Sequence, residues 1–222
     1  MCGRISLLTY DELEEVVAAI EARRASRIDA KHDARAQARP GGEVSAIVGE
    51  NGAGGNLRLL PFTWGFLAPW GNRLIFNTRI ESALGGVQMW QDALRDGRCV
   101  VPVATFFEPH GSETERNLRT GRQAKRQYEF ASPIGEPLLL AGIQHKDRLS
   151  IVTTEPNAHV SPIHPRMPLV LRFDEVFTWF DGDFASLADR SAIPLQARPE
   201  HGSTASASGS PSTSDNPQLS LF

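Results

Sequence analysis

The sequence predicts a single α+β domain, built on a mostly antiparallel, barrel-like sheet with a few flanking helices and a disordered C-terminal tail. Three observations point there. Eight segments have the apolar, β-branched character of strands: Val44 to Val48, Leu57 to Trp64, Leu74 to Arg79, Arg98 to Phe107, Gln127 to Phe130, Leu138 to Gln144, Leu149 to Thr153 and Met167 to Phe173. Few helical segments separate them, which argues against alternating parallel βαβ units. Composition then changes near Arg198: from Gly202 to Asn216 the chain is almost entirely Ser, Thr, Ala, Gly, Pro and Asp, too poor in apolar surface to offset the entropy of ordering.

The helices have local causes. Thr9 and Glu12 have the spacing of a capping box, and Leu13, Val16, Val17 and Ile20 follow at helical spacing. Arg23 and Arg24 stand near its C-terminal end, where positive charge is favourable. A second helix is expected from about Val87 to Leu94, ending near Gly97, and a third over Asp174 to Phe180. The stretch from Ser26 to Gly42 has no clear pattern. The organisation expected is a domain over 1–198, a Ser/Thr/Gly/Pro-rich linker over 199–217, and a short partner-binding motif over 218–222.

Totals bound the function. With 222 residues there is room for one domain with a real core and little for a second. Hydrophobic residues make up 41% and net charge is −3, so nucleic-acid binding would have to come from a local cluster of arginines. No apolar run has the length of a membrane span and no signal peptide is evident, which leaves the cytosol as the expected location. The 6 histidines form no recognisable ligand set, and neither a metal nor a cofactor is implied.

Of the 2 cysteines, Cys99 lies in the apolar run Cys99-Val100-Val101-Pro102-Val103 and reads as a buried small hydrophobe. Cys2 differs. Removal of Met1 would leave it with a free α-amine, titrating near ~8, on the carbon next to a thiol titrating near ~8.5, which a positive charge such as Arg4 could activate. An aldehyde meeting this pair forms a Schiff base, and the thiol closes a five-membered thiazolidine intramolecularly. Glutamine amidotransferases of the N-terminal-nucleophile class also begin Met-Cys-Gly, so an amidohydrolase or autopeptidase is a rival reading, as is a non-catalytic DNA-binding module in which Cys2 is incidental.

Three polar islands stand where strands end: Asn77-Thr78-Arg79-Ile80-Glu81, Glu108 after Phe106-Phe107, and His164-Pro165-Arg166-Met167-Pro168. A carboxylate directly after two phenylalanines is the least ordinary, since partial desolvation would raise its pKa toward values useful in acid/base work.

Taken in order, Met1-Cys2-Gly3-Arg4, Trp64-Gly65-Phe66, Asn77 to Glu81, Arg98 to Pro102 leading to Glu108, Leu140-Ala141-Gly142-Ile143, Thr153-Thr154 with Asn157, and Ile163 to Pro168 resemble the SOS-response-associated-peptidase family, whose members crosslink to abasic sites in DNA. The match spans roughly residues 1 to 180. It departs at Pro109, where the family usually has Trp, at Thr78, usually Ala, and at Gln37-Ala38-Arg39-Pro40-Gly41, where an Asn-x-Ala-Pro segment is usual.

The resemblance implies a catalytic set of Cys2, Asn77, Glu108 and His164. Glu108 would move protons to and from the amine and the departing water, His164 would assist opening of the closed sugar, and Asn77 would orient the Cys2 end. Arg4, Arg79 and Arg166 would bind phosphates of single-stranded DNA beside the lesion. Trp70 would offer a shelf for unstacked bases, whereas Trp64 is expected in the core. Gln218-Leu219-Ser220-Leu221-Phe222 looks like the short motif by which bacterial proteins dock onto the replicative sliding clamp: Leu219, Leu221 and Phe222 are too few to fold alone, and the Gln218 amide can hydrogen-bond.

Overall fold

A computed structural model describes residues 2–23, 35–49, 56–69, 71, 73–86, 88–116, 121–181 and 183–200. Trp70 and the tail with its terminal motif lie outside the described residues. Along the chain run β1 (Ile5–Leu7), α1 (Tyr10–Glu21), β2 (Gln37–Ala38), β3 (Glu43–Gly49), β4 (Leu57–Trp64), β5 (Phe66–Leu67), β6 (Leu74–Ile75), β7 (Asn77–Arg79), α2 (Ile80–Leu84) and α3 (Gln88–Asp96). There follow β8 (Arg98–Arg116), β9 (Gln123–Ala131), β10 (Leu138–His145), β11 (Arg148–Thr154), β12 (Met167–Pro168), β13 (Val170–Leu171), α4 (Val176–Phe180) and β14 (Gln196–Pro199).

The sheet closes on itself. β8 pairs with β10, β10 with β11, β11 with β4, β4 with β3, and β3 returns to β8. Among the described residues, only the contacts of β11 with β4 and with β7 are parallel. Two-residue alternation along these strands builds two cores. Val44, Ala46, Phe62, Trp64, Cys99, Val101, Val103, Leu138, Leu140, Leu149 and Ile151 point into the barrel. Ile47, Val100, Ala104, Leu139, Ala141, Ile143 and Val152 point outward, where Leu13, Val16 and Ile20 of α1, Trp90 and Leu94 of α3, and Trp179 of α4 cover them.

Cys99 is fully buried, and so is Trp64, whose Nε1 donates to the Phe76 carbonyl at 2.8 Å. Gly142 sits opposite Cys99 across β10 and β8; a Cβ there would come within 2.9 Å of the Cys99 Sγ, which accounts for the glycine in Leu140-Ala141-Gly142-Ile143. No helix among the described residues is long and apolar enough to cross a membrane.

α1 forms where the capping box places it. The Thr9 Oγ1 accepts from the Glu12 amide at 3.3 Å, and Glu12 Oε2 accepts from the Thr9 amide at 2.7 Å. Arg35 adds two bonds to Glu12, and that guanidinium holds the carboxyl down at about 2.

Several boundaries differ from expectation. The run Leu74 to Arg79 breaks at Phe76 into β6, which pairs with β5, and β7, which pairs with β11. Met167 to Phe173 breaks at Leu169, whose amide leaves the strand pattern to reach the Val152 carbonyl. Asp174 belongs to a 3-10 turn over Phe173–Glu175, ahead of α4. Pro199 closes β14, a strand that was not expected, and the Glu200 amide donates to the Gln127 carbonyl at 2.9 Å.

Candidate functional site

The site is assembled where the start of the chain is drawn alongside β8. Ile5 of β1 lies opposite Phe106, and the Phe107 amide donates to the Arg4 carbonyl at 3.0 Å. Pairing in this register carries the preceding residues toward Glu108. Cys2 is fully buried with the barrel core, and its Sγ donates to the Arg4 carbonyl at 3.7 Å. Asn77 is brought in from across the barrel, opposite Ile151 at the start of β7. Its Nδ2 donates to the Cys2 carbonyl at 2.7 Å, while its buried Oδ1 has no hydrogen-bond partner among the described residues.

Glu108 is also fully buried, and burial pushes its carboxyl up to about 7, against the downward pull of the N-terminal ammonium. The imidazole of His164 lies with Nδ1 3.6 Å from a Glu108 carboxylate oxygen. Partial burial lowers the pKa of His164, although the Nδ1 contact with the Arg166 carbonyl, at 2.9 Å, works the other way. A carboxyl that titrates near neutrality and an imidazole biased to its neutral form therefore flank the Cys2 end. Such a pair can both give and take protons at physiological pH.

The Cys2 thiol corrects one expectation. Burial and the charge of Glu108 push it up, not down. Arg4 does not act as its activating cation, because the guanidinium is committed elsewhere: it forms an ion pair with Glu200, hydrogen-bonds Gln37 and lies 3.9 Å over the Phe107 ring. Thiolate formation must then draw on a neighbouring base.

The other two arginines differ in availability. Arg79 is exposed at the end of β7. Arg166 is buried, bonded twice to Glu81, once to Glu155 and once to the Thr153 carbonyl. Arg4 and Arg166 thus fasten segments together as they stand, and either would have to exchange a carboxylate for a phosphate to bind DNA. A cavity of about 380 Å³, lined by Ile134, Leu171, Phe173 and Ile193 among others, shares none of the site side chains.

Asn157 is the positioning residue that sequence reasoning quoted without a role. Its Oδ1 accepts from the amides of His159 and Val160, and its Nδ2 donates to the Ile193 carbonyl at 2.8 Å. Val160 in turn accepts the His164 amide at 2.9 Å. Replacing this buried side chain orphans several backbone groups. Asn157→Ala is expected to lower stability by about 2 kcal/mol, seen as a lower urea midpoint, and to slow any reaction that uses His164. An unchanged midpoint would remove Asn157 from this role.

The sequence profile of the SOS response associated peptidase (SRAP) family matches residues 1–205. Two relatives from Bacillus subtilis (strain 168) are named abasic site processing proteins: YoaM is 26% identical over 201 residues, covering 82% of this chain and 79% of its own length, and YoqW is 26% identical over 196 residues, covering 82% and 80%. Among solved structures, a phage-related protein from Bordetella bronchiseptica superposes with a TM-score of 0.65 at 18% identity, over 90% of this chain and 95% of that one. A protein from Bacteroides thetaiotaomicron gives 0.62 at 17% identity, over 90% and 92%. These two likenesses establish the fold.

Proposed function

Because the chain belongs to the SOS response associated peptidase (SRAP) family, we propose that it processes abasic sites in single-stranded DNA, crosslinking to them through Cys2 once Met1 is removed. The observation that carries this reading is the Asn77 bond to the Cys2 carbonyl, which holds the Cys2 backbone beside Glu108 and His164.

In this reading the abasic sugar opens to its aldehyde, and the neutral α-amine of Cys2 adds to C1′. The carbinolamine loses its hydroxyl as water, with the proton delivered by Glu108, and an imine remains. The Cys2 thiol then adds to the imine carbon, its proton passing by way of Glu108 or His164 to the nitrogen. One water is released overall and a thiazolidine closes. In this reading the Asn77 Oδ1, buried and without a hydrogen-bond partner among the described residues, accepts from the amine. Closing the ring removes the imine that would otherwise invite β-elimination and strand cleavage, so the lesion is shielded. Arg79, with Arg4 and Arg166 after exchange of their carboxylates, supplies phosphate contacts, and Trp70 a stacking surface. The chemistry uses no cofactor, and the place of action is the cytoplasm, on the nucleoid.

The test is incubation with a single strand bearing one abasic site, followed by denaturing electrophoresis. A slow-migrating adduct specific to the abasic strand is expected; its absence from mature protein would refute the reading.

The same reading gives the tail a role. Gln218, Leu219, Leu221 and Phe222 dock on the replicative sliding clamp, and the preceding linker raises the concentration of the domain near exposed template. A labelled peptide of the last residues is expected to bind purified clamp and to lose binding on joint Leu221→Ala and Phe222→Ala substitution. A peptide that does not bind, or whose binding survives the substitutions, rules this out.

A further inference from the structure

β8 does not stop at the site. It runs on past Glu108 through a bulge between Pro109 and Thr114, and pairs with β9 as a two-stranded arm, with Thr114 opposite Lys125 and Arg116 opposite Gln123. Eight residues of extended chain carry it up to about 26 Å from Glu108. The arm is where the chain concentrates positive charge. Its described residues from 116 to 126 carry four cations, Arg116, Arg122, Lys125 and Arg126, and no carboxylate, after Glu113 and Glu115 of β8, in a protein of net charge −3.

Arg116, Arg122 and Lys125 are exposed. The register puts Arg116 and Lys125 on the same face of the arm, on a cross-strand diagonal of about 7–8 Å. Arg116 donates to the Gly121 carbonyl and Lys125 to the Gly111 carbonyl, and neither pairs with a carboxylate among the described residues. Arg126 turns to the other face, 3.5 Å from Glu113 and over the Tyr128 ring.

We infer that the β8–β9 arm is a second nucleic-acid contact, gripping the phosphates of a DNA strand at a distance from the lesion that reacts at Cys2. The inference rests on the proposed DNA function. It adds that affinity for the strand and chemistry at the lesion reside in different parts of one strand of the sheet. A polyanion fits the arm because cations spaced along an extended ribbon meet charges spaced along a backbone. Mobile salt ions released from the strand then supply the free energy.

The experiment uses the full chain and the triple variant Arg116→Ala, Arg122→Ala, Lys125→Ala with two substrates. On a long undamaged single strand, the slope of log affinity against log salt is expected to flatten by about 2, at roughly 0.7 per lost phosphate contact. The counterpart Arg116→Lys, Arg122→Lys keeps the charge and should keep the slope. On a trinucleotide whose middle residue is abasic, too short to reach the arm, the triple variant should crosslink at the parent rate. A slope unchanged in the triple variant, or a parent that does not bind the long strand, overturns the inference. A parent that binds the long strand through the arm but never crosslinks to the trinucleotide keeps the arm and refutes the Cys2 chemistry instead. Weaker binding with a preserved slope, as a damaged fold would give, also counts against it.

Discussion

Replacing Cys2 by alanine is expected to eliminate the adduct that survives denaturation, with a drop of at least about 100-fold in its yield from abasic single strands. The reasoning separates the two nucleophiles. Once Met1 is removed the variant still presents an α-amine, titrating near ~8, so an imine with the sugar still forms. Without the thiol, ring closure is impossible, and the imine returns to amine and aldehyde unless borohydride reduces it. The variant should therefore show an adduct only when reductant is present.

Cys2 is fully buried, so a small cavity accompanies the change. Binding to an undamaged strand checks that the domain is intact. An adduct from Cys2→Ala that is undiminished without reduction would sink the thiazolidine. The rivals make different forecasts. A non-catalytic DNA-binding module would lose nothing on substitution. An N-terminal-nucleophile amidohydrolase would release ammonia from glutamine and lose that activity instead.

How much of this was legible from residue order follows from range. The barrel strands were readable because alternation is local: Cys99, Val101 and Val103 against Val100 and Ala104 declare a strand with apolar neighbours on both faces. The first turn of α1 was readable for the same reason, since Thr9 and Glu12 satisfy each other across three residues. β1, β2 and β14 were not readable. Each is four residues or fewer and exists because a partner far along the chain offers an edge, as β8 does to Ile5 and β9 to Gln196.

The β8–β9 arm was missed because it packs against no core. Pro109, His110 and Gly111 look like a turn, yet the bulge absorbs them and the strand resumes. The residues of the candidate site could be picked out, since Asn77, Glu108 and His164 are polar residues abutting apolar runs. The states of its charges were not. Nothing local says that Arg4 will meet Glu200, that Arg166 will meet Glu81, or that the thiol will be pushed up.

Glu108→Gln is expected to slow crosslinking by ~10²–10⁴ while affinity for an undamaged strand stays near the parent value, because a general acid/base contributes to rate and not to holding phosphates. Glutamine keeps the shape of the protonated acid but cannot exchange the proton. The parent's rate should bend near pH 7, where Glu108 titrates: below it the acid form delivers a proton to the departing hydroxyl, and above it the carboxylate takes protons from the amine and thiol. That bend should vanish in the variant. Stability gives an independent reading with a definite sign. Glu108 rises from 4.5 in a solvated chain to about 7 in the fold, so between those values the folded state holds the extra proton. Its contribution is complete below the lower value and is lost as pH rises through the upper one. Glutamine carries no such loss. Above pH 7 the variant should be the more stable protein, by up to about 3 kcal/mol, and near pH 4 the two should be alike. A Glu108→Gln protein that crosslinks at the parent rate removes the carboxyl from the chemistry, and one that gains no stability above neutral pH shows that the burial of its charge is relieved by other groups.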